Sequence, residues 1–451
     1  DASWERVAQE AGRHPFGGGN PGEDGDDEDE QDSVADAQAV KPWIRSINAP
    51  TAAPEQSLLQ PKMELQLEWI HGYTGEGSRS NAAYSASGEI VYPAAAAVII
   101  LNKDTNVQRH LLHACAVQSL AMHPRGKLVA SGQAGVSDAI VTVWEISTGS
   151  IVRILKGIHR RGVSALAFSA DGNFIVSAGL DDNHIVCVTE WMSGRVQRTI
   201  VGGDAKVLCL AMSPNGSVLA QAGIGHVVFH EFFDETEGGY KGDGCNVVSK
   251  KGIVGGRAGQ GMVQDMLSIG WVRGLPVVGT ADGALYQFSS GAAGTERMIE
   301  TLVHAHDGAV NTIFTDVTTG TLVTGARDGK VKLWSQSLEN LKSFDISEFN
   351  ISARPSVRSV FYSSFLNKII VGTRGCELIE ISASDGAELN GGRSVIETHM
   401  RGQLWALSTH PTRGEYVTLG DDGALRKWSV TQKQVSQATK LECGGRAIAY
   451  S

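Results

Sequence analysis

No run of about 18 apolar residues occurs anywhere in this chain, so no segment reads as a membrane-spanning helix. Its first residues, DASWERVAQE, lack the basic flank and apolar core of a secretory signal. Six cysteines are scattered at Cys115, Cys187, Cys209, Cys245, Cys376 and Cys443, with no C-x-x-C pair. Most sit in strand-like apolar runs, so they read as small buried hydrophobes of a reducing compartment rather than as a disulfide framework. No G-x-x-x-x-G-K-[ST] is present, and the glycines at Gly255–Gly261 miss the G-x-G-x-x-G spacing, so nothing points to a nucleotide. There is no G-x-S-x-G to anchor a Ser-His-Asp triad, and no sustained heptad pattern for a coiled coil. Positive charge is not in excess either, with 39 Lys+Arg against 49 Asp+Glu. That opposes the phosphate attraction on which nucleic-acid binding depends.

What the chain does have is glycine, 54 in 451 residues against 12 prolines, which suits a fold with many tight turns and ample core. The acids are unevenly placed. Residues 1–60 carry 13 acids and 4 bases, and the remainder 36 acids and 35 bases, so a near-neutral body follows an acidic, flexible arm.

The most regular stretch is His306 to Trp334. Short β-branched runs at Val310–Thr315 and Thr321–Thr324 precede an Asp328-Gly329 hairpin and a strand, Lys330–Trp334, that ends in an aromatic. Asp328 can fix His306, whose imidazole can reach Thr324, which in turn can accept from the Trp334 indole. Thr418, Asp422 and Trp428 repeat the same spacing, with His399 one residue out of step, and His159 precedes Val163 as His306 precedes Val310. Recurrence of this kind argues for architecture, since an active site would be single. The unit itself recurs. Its first-strand anchor falls at Val117, Val163, Val207, Val263, Val310, Val357 and Leu404, a period somewhat above 40 residues. Seven such units, each strand–turn–strand–hairpin–strand plus an outer strand, predict an all-β, seven-bladed WD-type β-propeller over 113–442.

Two histidine clusters invite a metal reading. In His304-Ala305-His306-Asp307 the aspartate is adjacent to the second histidine instead of two residues on, and the repeat already employs His306. His230-Glu231 misses H-E-x-x-H and lies on a strand, where i and i+4 stand too far apart for one ion. No metal, cofactor or catalytic residue is expected. The polar insert Asp234–Gly261 between the third and fourth units carries Lys241, Lys250, Lys251 and Arg257, either a solvated loop or a basic loop for an acidic partner.

Residues 61–112 do not fit the repeat. They read as a partial blade of about three strands, Glu89–Tyr92, Ala97–Leu101 and Val107–Leu112, with no inner strand and hence an edge open to pairing. Leu67, Glu68, Trp69, Gly72, Tyr73 and Gly75, then Arg79 and Asn81, then Gly88, Glu89 and Tyr92 resemble the HELP motif. That motif opens the tandem-propeller domain of the echinoderm microtubule-associated protein-like family. The resemblance implies a non-catalytic scaffold that binds tubulin and microtubules, in the cytoplasm and cytoskeleton and within reach of other cytoskeletal or axonemal proteins of a cilium. It implies neither nucleic acid nor membrane as partner. Residues 443–451 resemble the start of a further blade, so the chain is expected to be a fragment of a tandem-propeller protein. The rival reading is a propeller adaptor for a signalling or ubiquitin-ligase complex, which would have no need of the 61–110 motif.

Overall fold

The computed structural model describes residues 65–135, 138–233, 246–255, 261–291, 296–399 and 402–450. Glu68–Ser451 forms one compact unit, and it holds all the strands found among the described residues. They form eight consecutive up-and-down arrays, A to H. Sheet A contains β1–β4 (Ala83–Tyr84, Ile90–Ala94, Ala97–Asn102, Val107–Leu112), and B contains β5–β8 (Val117–Met122, Leu128–Gln133, Ala139–Glu145, Ile151–His159). Sheet C contains β9–β12 (Val163–Phe168, Phe174–Gly179, Val186–Glu190, Arg195–Ile200), and D contains β13–β16 (Val207–Met212, Val218–Gly223, His226–Phe233, Asn246–Ile253). Sheet E contains β17–β20 (Met266–Val272, Leu275–Thr280, Ala284–Phe288, Arg297–His304), and F contains β21–β24 (Val310–Thr315, Leu322–Ala326, Lys330–Trp334, Asn340–Asp345). Sheet G has three strands, β25–β27 (Val357–Ser363, Lys368–Thr373, Leu378–Ser382). Sheet H has four, β28–β31 (Leu404–Thr409, Glu415–Gly420, Ala424–Ser429, Gln434–Lys440).

Alternation decides how these sheets stack. Strands such as Ala97–Asn102 are buried on both faces and read as continuous apolar runs, whereas outer strands such as Asn340–Asp345 are largely exposed. Each junction between neighbours is filled by its own apolar cluster. Val91, Val98 and Leu111 of A meet Val117 and Trp144 of B, and equivalent clusters join B to C, C to D, D to E, E to F and F to G. The seventh joins G back to A, where Tyr84, Tyr92 and Ile99 pack with Ile370 and Leu378. Sheets A to G therefore close a ring.

The expected fold class, an all-β propeller of seven blades, is what the structure shows, but the membership of the ring differs from the expected 113–442. The leading segment is a complete blade with its own inner strand, because Ala83–Tyr84 pairs with Val91 and Ile90. A two-residue strand gives no periodic signal, so the sequence offered no sign of it. With A filling the seventh place, H is left outside the ring. Its first strand stays uncovered, Leu407 being 59% exposed and Leu404 and Trp405 exposed beside it. The fourth anchor is also displaced. The inner strands of sheets B to G share a register irregularity just after their first residue, and in E this falls at Met266/Ser268. Met266 is thus the counterpart of Val310, and Val263 is 71% exposed. A valine in a run without clear alternation had shifted the alignment by three residues.

One junction is closed twice. The outer strands β16 and β20 pair in parallel through Gly252–Arg297 and Ile253–Met298, which merges D and E into one eight-stranded sheet.

Candidate functional site: the leading segment and the seam it closes

Residues 68–82 run from the rim of the ring to its centre. At the rim, Glu68 pairs with Lys433 of H at 2.9 Å, and the same ammonium stands 5.0 Å over the Trp69 ring. The neighbouring His71 ring lies 4.4 Å from that of Trp428. Burial, aided by the charge of Lys433, pushes the His71 imidazole down to about 4, so it packs as a neutral aromatic. Leu67 is exposed. Gln108 imitates a strand partner for the segment. Its side chain accepts from Ile70 N at 2.8 Å, donates to Ile70 O at 3.2 Å, and donates to the buried Tyr92 hydroxyl at 3.2 Å.

Farther in, Tyr73 is buried against G in the space above Gly372, where a Cβ would sit 2.2 Å from its hydroxyl. Gly75 is required for a similar reason, since a Cβ there would meet Thr373 O at 2.1 Å. The Tyr73 hydroxyl donates to Asn81 Oδ1 at 2.5 Å, and Asn81 Nδ2 donates to Thr74 O at 2.7 Å and Ser78 Oγ at 3.1 Å. Asn81 thereby fixes the bend between Tyr73 and β1. Across that bend the chain spans the inner strands. Ser78 Oγ donates to Gln118 O of B at 2.9 Å, Ser80 Oγ pairs with Thr312 of F at 2.9 Å, and Ser80 N donates to Arg358 O of G at 3.0 Å. Arg79 extends toward D. Burial pushes the Cys209 thiol up to about 12, and the Arg79 charge opposes that shift. The segment is a cross-brace for the hub.

Gly88 adopts φ +84° in the turn before β2, and Glu89 pairs with Arg109 at 2.5 Å across the sheet. A further charged group, Glu380 on β27, was not evident from the sequence. Nearly fully buried, it accepts from Tyr84 at 2.8 Å and pairs with Lys103 at 2.6 Å and Lys368 at 3.3 Å, so it ties A to G. The only signal was an acidic residue inside the apolar run Leu378–Ser382.

The relay residues lie together. His306 Nδ1 is 3.0 Å from Asp328 Oδ2, His306 Nε2 is 2.8 Å from Thr324 Oγ1, and Trp334 Nε1 donates to the same hydroxyl at 2.9 Å. In H, His399 stands 2.8 Å from both Asp422 and Thr418, and Trp428 donates to Thr418 at 2.7 Å. The residue by which His399 is out of step lies in a connection, where it does not prevent the imidazole from arriving. Burial raises the Asp328 carboxyl, but the His306 contact and the amides of Lys330 and Asp307 outweigh it and hold it below the usual range. His159 bonds Ser177 at 2.7 Å without a tryptophan partner, because the Trp191 indole turns to Gly172 O.

Of the candidate basic loop, Lys241 and Arg257 lie outside the described residues, as does the acidic arm 1–60. Lys251 is exposed on β16. Lys250 is not a loop residue at all. It is buried on β16, 2.8 Å from Glu231, because alternation turns its side chain inward. Among the described residues no cluster of three His, Cys, Asp or Glu side chains could hold a metal. Most thiols were expected to be buried; of those described, Cys187 and Cys376 are buried, Cys115 and Cys209 half-buried and Cys443 exposed, and Cys245 lies outside the described residues.

A sequence profile described as the echinoderm microtubule-associated protein first beta-propeller matches residues 107–381, and one described as the HELP motif matches 60–99. The chain belongs to the echinoderm microtubule-associated protein-like family. The family's first-propeller profile ends within β27, the last strand of the ring, and excludes H. The chain is 28% identical over 422 residues to human echinoderm microtubule-associated protein-like 2, covering 89% of this chain and 60% of that one. It is 26% identical over 400 residues to the 77 kDa echinoderm microtubule-associated protein of Strongylocentrotus purpuratus, covering 86% and 54%. Against human echinoderm microtubule-associated protein-like 4 it is 27% identical over 391 residues, covering 82% and 37%. The chain thus spans 60% or less of the length of these family members.

Two buried histidines give the domain a pH dependence. Burial pushes His159 and His230 from 6.5 down to about 4. Between those values the unfolded chain binds protons that the folded one excludes, so stability is fully present above 6.5 and falls as pH drops toward 4. A change of that size is worth about 3 kcal/mol per imidazole. Asp328 and Asp422, both held low, extend the loss below their ordinary range, while Glu377, raised by burial, acts in the opposite sense. Urea midpoints measured from neutral pH downward are expected to fall below about pH 6.5. A flat profile across that window overturns the assignment.

Proposed function

We propose that this chain is a non-catalytic scaffold that associates with microtubules by binding tubulin, in the cytoplasmic cytoskeleton and at the ciliary axoneme. The observation that carries the reading is structural. The HELP segment is simultaneously a blade wall, a hub brace and the mount for sheet H, so its presence is explained by holding the ring and H in one rigid platform. Relatives that match most of this chain are named as microtubule-associated. On the same reading, Leu404–Lys440 is the first blade of a further propeller, and residues 1–60 are a solvated acidic arm. Recognition by such a platform depends on shape and dispersed polar contacts, because a near-neutral body has little attraction beyond a Debye length of about 8 Å. Other cytoskeletal proteins are the further partners, with no role for nucleic acid or membrane.

The test is pelleting of the purified chain with polymerised tubulin, using a seven-bladed propeller without a HELP segment as the control. Saturable pelleting of this chain alone is the expected result. Retention of the whole sample in the supernatant, at tubulin concentrations where a family member pellets, overturns the reading.

A further inference from the structure

Asn-Gly, the dipeptide in which the following amide attacks the asparagine most easily because glycine has no Cβ to obstruct it, occurs twice in this chain, at Asn215-Gly216 and Asn390-Gly391. The fold treats the two differently. Asn215 sits in the turn between β13 and β14, where Gly216 N donates to Ser213 O at 2.9 Å. The Asn215 side chain is folded back over the same turn, its Oδ1 accepting from Ser213 Oγ at 2.7 Å, Ser217 Oγ at 2.8 Å and Ser217 N at 3.2 Å. The nitrogen that would attack and the carbonyl it would attack are both tied down.

Asn390 lies past β27, in the irregular stretch that takes the place of a fourth strand in G. Leu389 N donates to Glu380 O at 2.9 Å and Val395 N to Leu378 O at 2.7 Å, so the edge of β27 is covered on either side of a protruding loop, 390–394. Within the loop the Glu388 carboxylate accepts from Asn390 N and from Gly392 N, the latter at 2.6 Å, and skips the amide between them. Gly391 N donates to no acceptor, both glycines are exposed, and a Cβ on either would meet nothing within 4 Å. The Asn390 side chain is the clasp of this loop, with Nδ2 donating to Ser394 O at 2.9 Å and to Arg393 O at 3.3 Å. Ser394 Oγ in turn donates to Glu397 Oε2 at 3.0 Å, and Glu397 stands 3.7 Å from Arg426 of H. A cleft of about 220 Å³ lies between Gly392–Glu397 and Lys433–Ala438 of H.

We propose that Asn390-Gly391 is a site of spontaneous deamidation, and that the change loosens the seam between G and H. Gly391 N gives its proton to solvent base and bonds to Asn390 Cγ, while the Cγ–Nδ2 bond breaks and the side-chain nitrogen takes up a proton and leaves as ammonia. Water then opens the succinimide ring at one carbonyl or the other, giving an aspartyl or an isoaspartyl residue. The product carboxylate has no hydrogen to donate, so it meets Arg393 O and Ser394 O oxygen to oxygen and adds a negative charge beside Glu388. The group that held the loop shut then pushes it open, next to the contact between Glu397 and Arg426.

Ageing the full chain at mildly alkaline pH, with its tryptic peptides followed by mass, tests this. The peptide Gly375–Arg393 contains Asn390 and no other asparagine or glutamine. It is expected to gain about 1 Da, at least about fivefold faster than the peptide that contains Asn215. In concentrated urea the two rates should converge, because the difference belongs to the fold. Asn390→Gln should abolish the gain in this peptide, and methyl transfer by an isoaspartyl methyltransferase should rise with the gain in the parent chain. The second probe is Asn390→Asp, in which amide exchange at Val395 and along Gln434–Lys440 is expected to rise by about threefold or more while Phe174–Gly179 in C stays unchanged. An Asn215 peptide that changes as fast as Gly375–Arg393 in the folded chain, or unaltered exchange in Asn390→Asp, overturns the proposal.

Discussion

Replacing Glu231 by Gln is expected to lower the unfolding free energy by about 3–5 kcal/mol, among the largest effects of any single charge in the domain. Glu231 lies on β15 with its carboxylate between two cations, Lys250 Nζ at 2.8 Å and Arg297 Nη2 at 3.1 Å. All three side chains are nearly excluded from water, and the Arg297 guanidinium also stacks over Phe229 at 5.1 Å. The group spans two blades, since Arg297 belongs to β20 of E. A neutral amide in place of the carboxylate keeps the shape but removes the negative charge that stands between two buried cations. Urea denaturation with an unchanged m-value is the measurement. The companion double variant Glu231→Gln, Arg297→Met should recover part of the loss, because it removes one of the two like charges that then face each other. A loss below about 1 kcal/mol, the range of a surface pair, shows that the group is solvated and that the merged sheet does not depend on it.

The second large effect lies at the ring seam. Tyr73→Ala is expected to cost about 3–5 kcal/mol, the usual range for deleting a buried aromatic side chain. It empties the space above Gly372 and leaves Asn81 without its donor. The distribution of the damage is more telling than its size. Amides of Lys368–Thr373 in G and of Ile90–Ala94 in A should lose hydrogen-exchange protection, while those of Phe174–Gly179 in C keep theirs. Gly372→Ala should open the same seam from the opposite wall, by driving a methyl group into the tyrosine hydroxyl. Tyr73→Phe removes a hydrogen bond and little volume, so it should leave the seam closed at a cost of about 1–3 kcal/mol. If exchange rises equally in all blades after Tyr73→Ala, the leading sheet is not a separate closing element.

Particular residues show why some of this was legible in advance and some was not. The relay His306–Thr324–Asp328–Trp334 could be read because a hairpin and two strands of fixed rise convert sequence spacing into distance. His399 is one residue out of step in sequence and still completes its relay, because the connection between it and Thr418 does not translate spacing into distance. Met266 was missed as an anchor because Val263, three residues earlier, looked equally apolar. Lys250 was assigned to a loop because its neighbours are polar and glycine-rich, although strand alternation turns it inward toward Glu231.

Local pattern alone determined that the chain makes repeated up-and-down β units that build a seven-bladed propeller, but it read residues 61–112 as a partial blade where the structure has a complete one. Hydrophobic periodicity and turn chemistry act within about ten residues, and they recur in every unit. Which seven units close the ring was decided only by the tertiary structure. Sheets A and H compete for the place beside G, and the choice falls to A because Tyr73, Tyr84 and Tyr92 fill the wall beside Gly372, Ile370 and Leu378 while Glu380 captures Lys103. Those contacts join residues almost 300 positions apart, a distance across which periodicity carries no information.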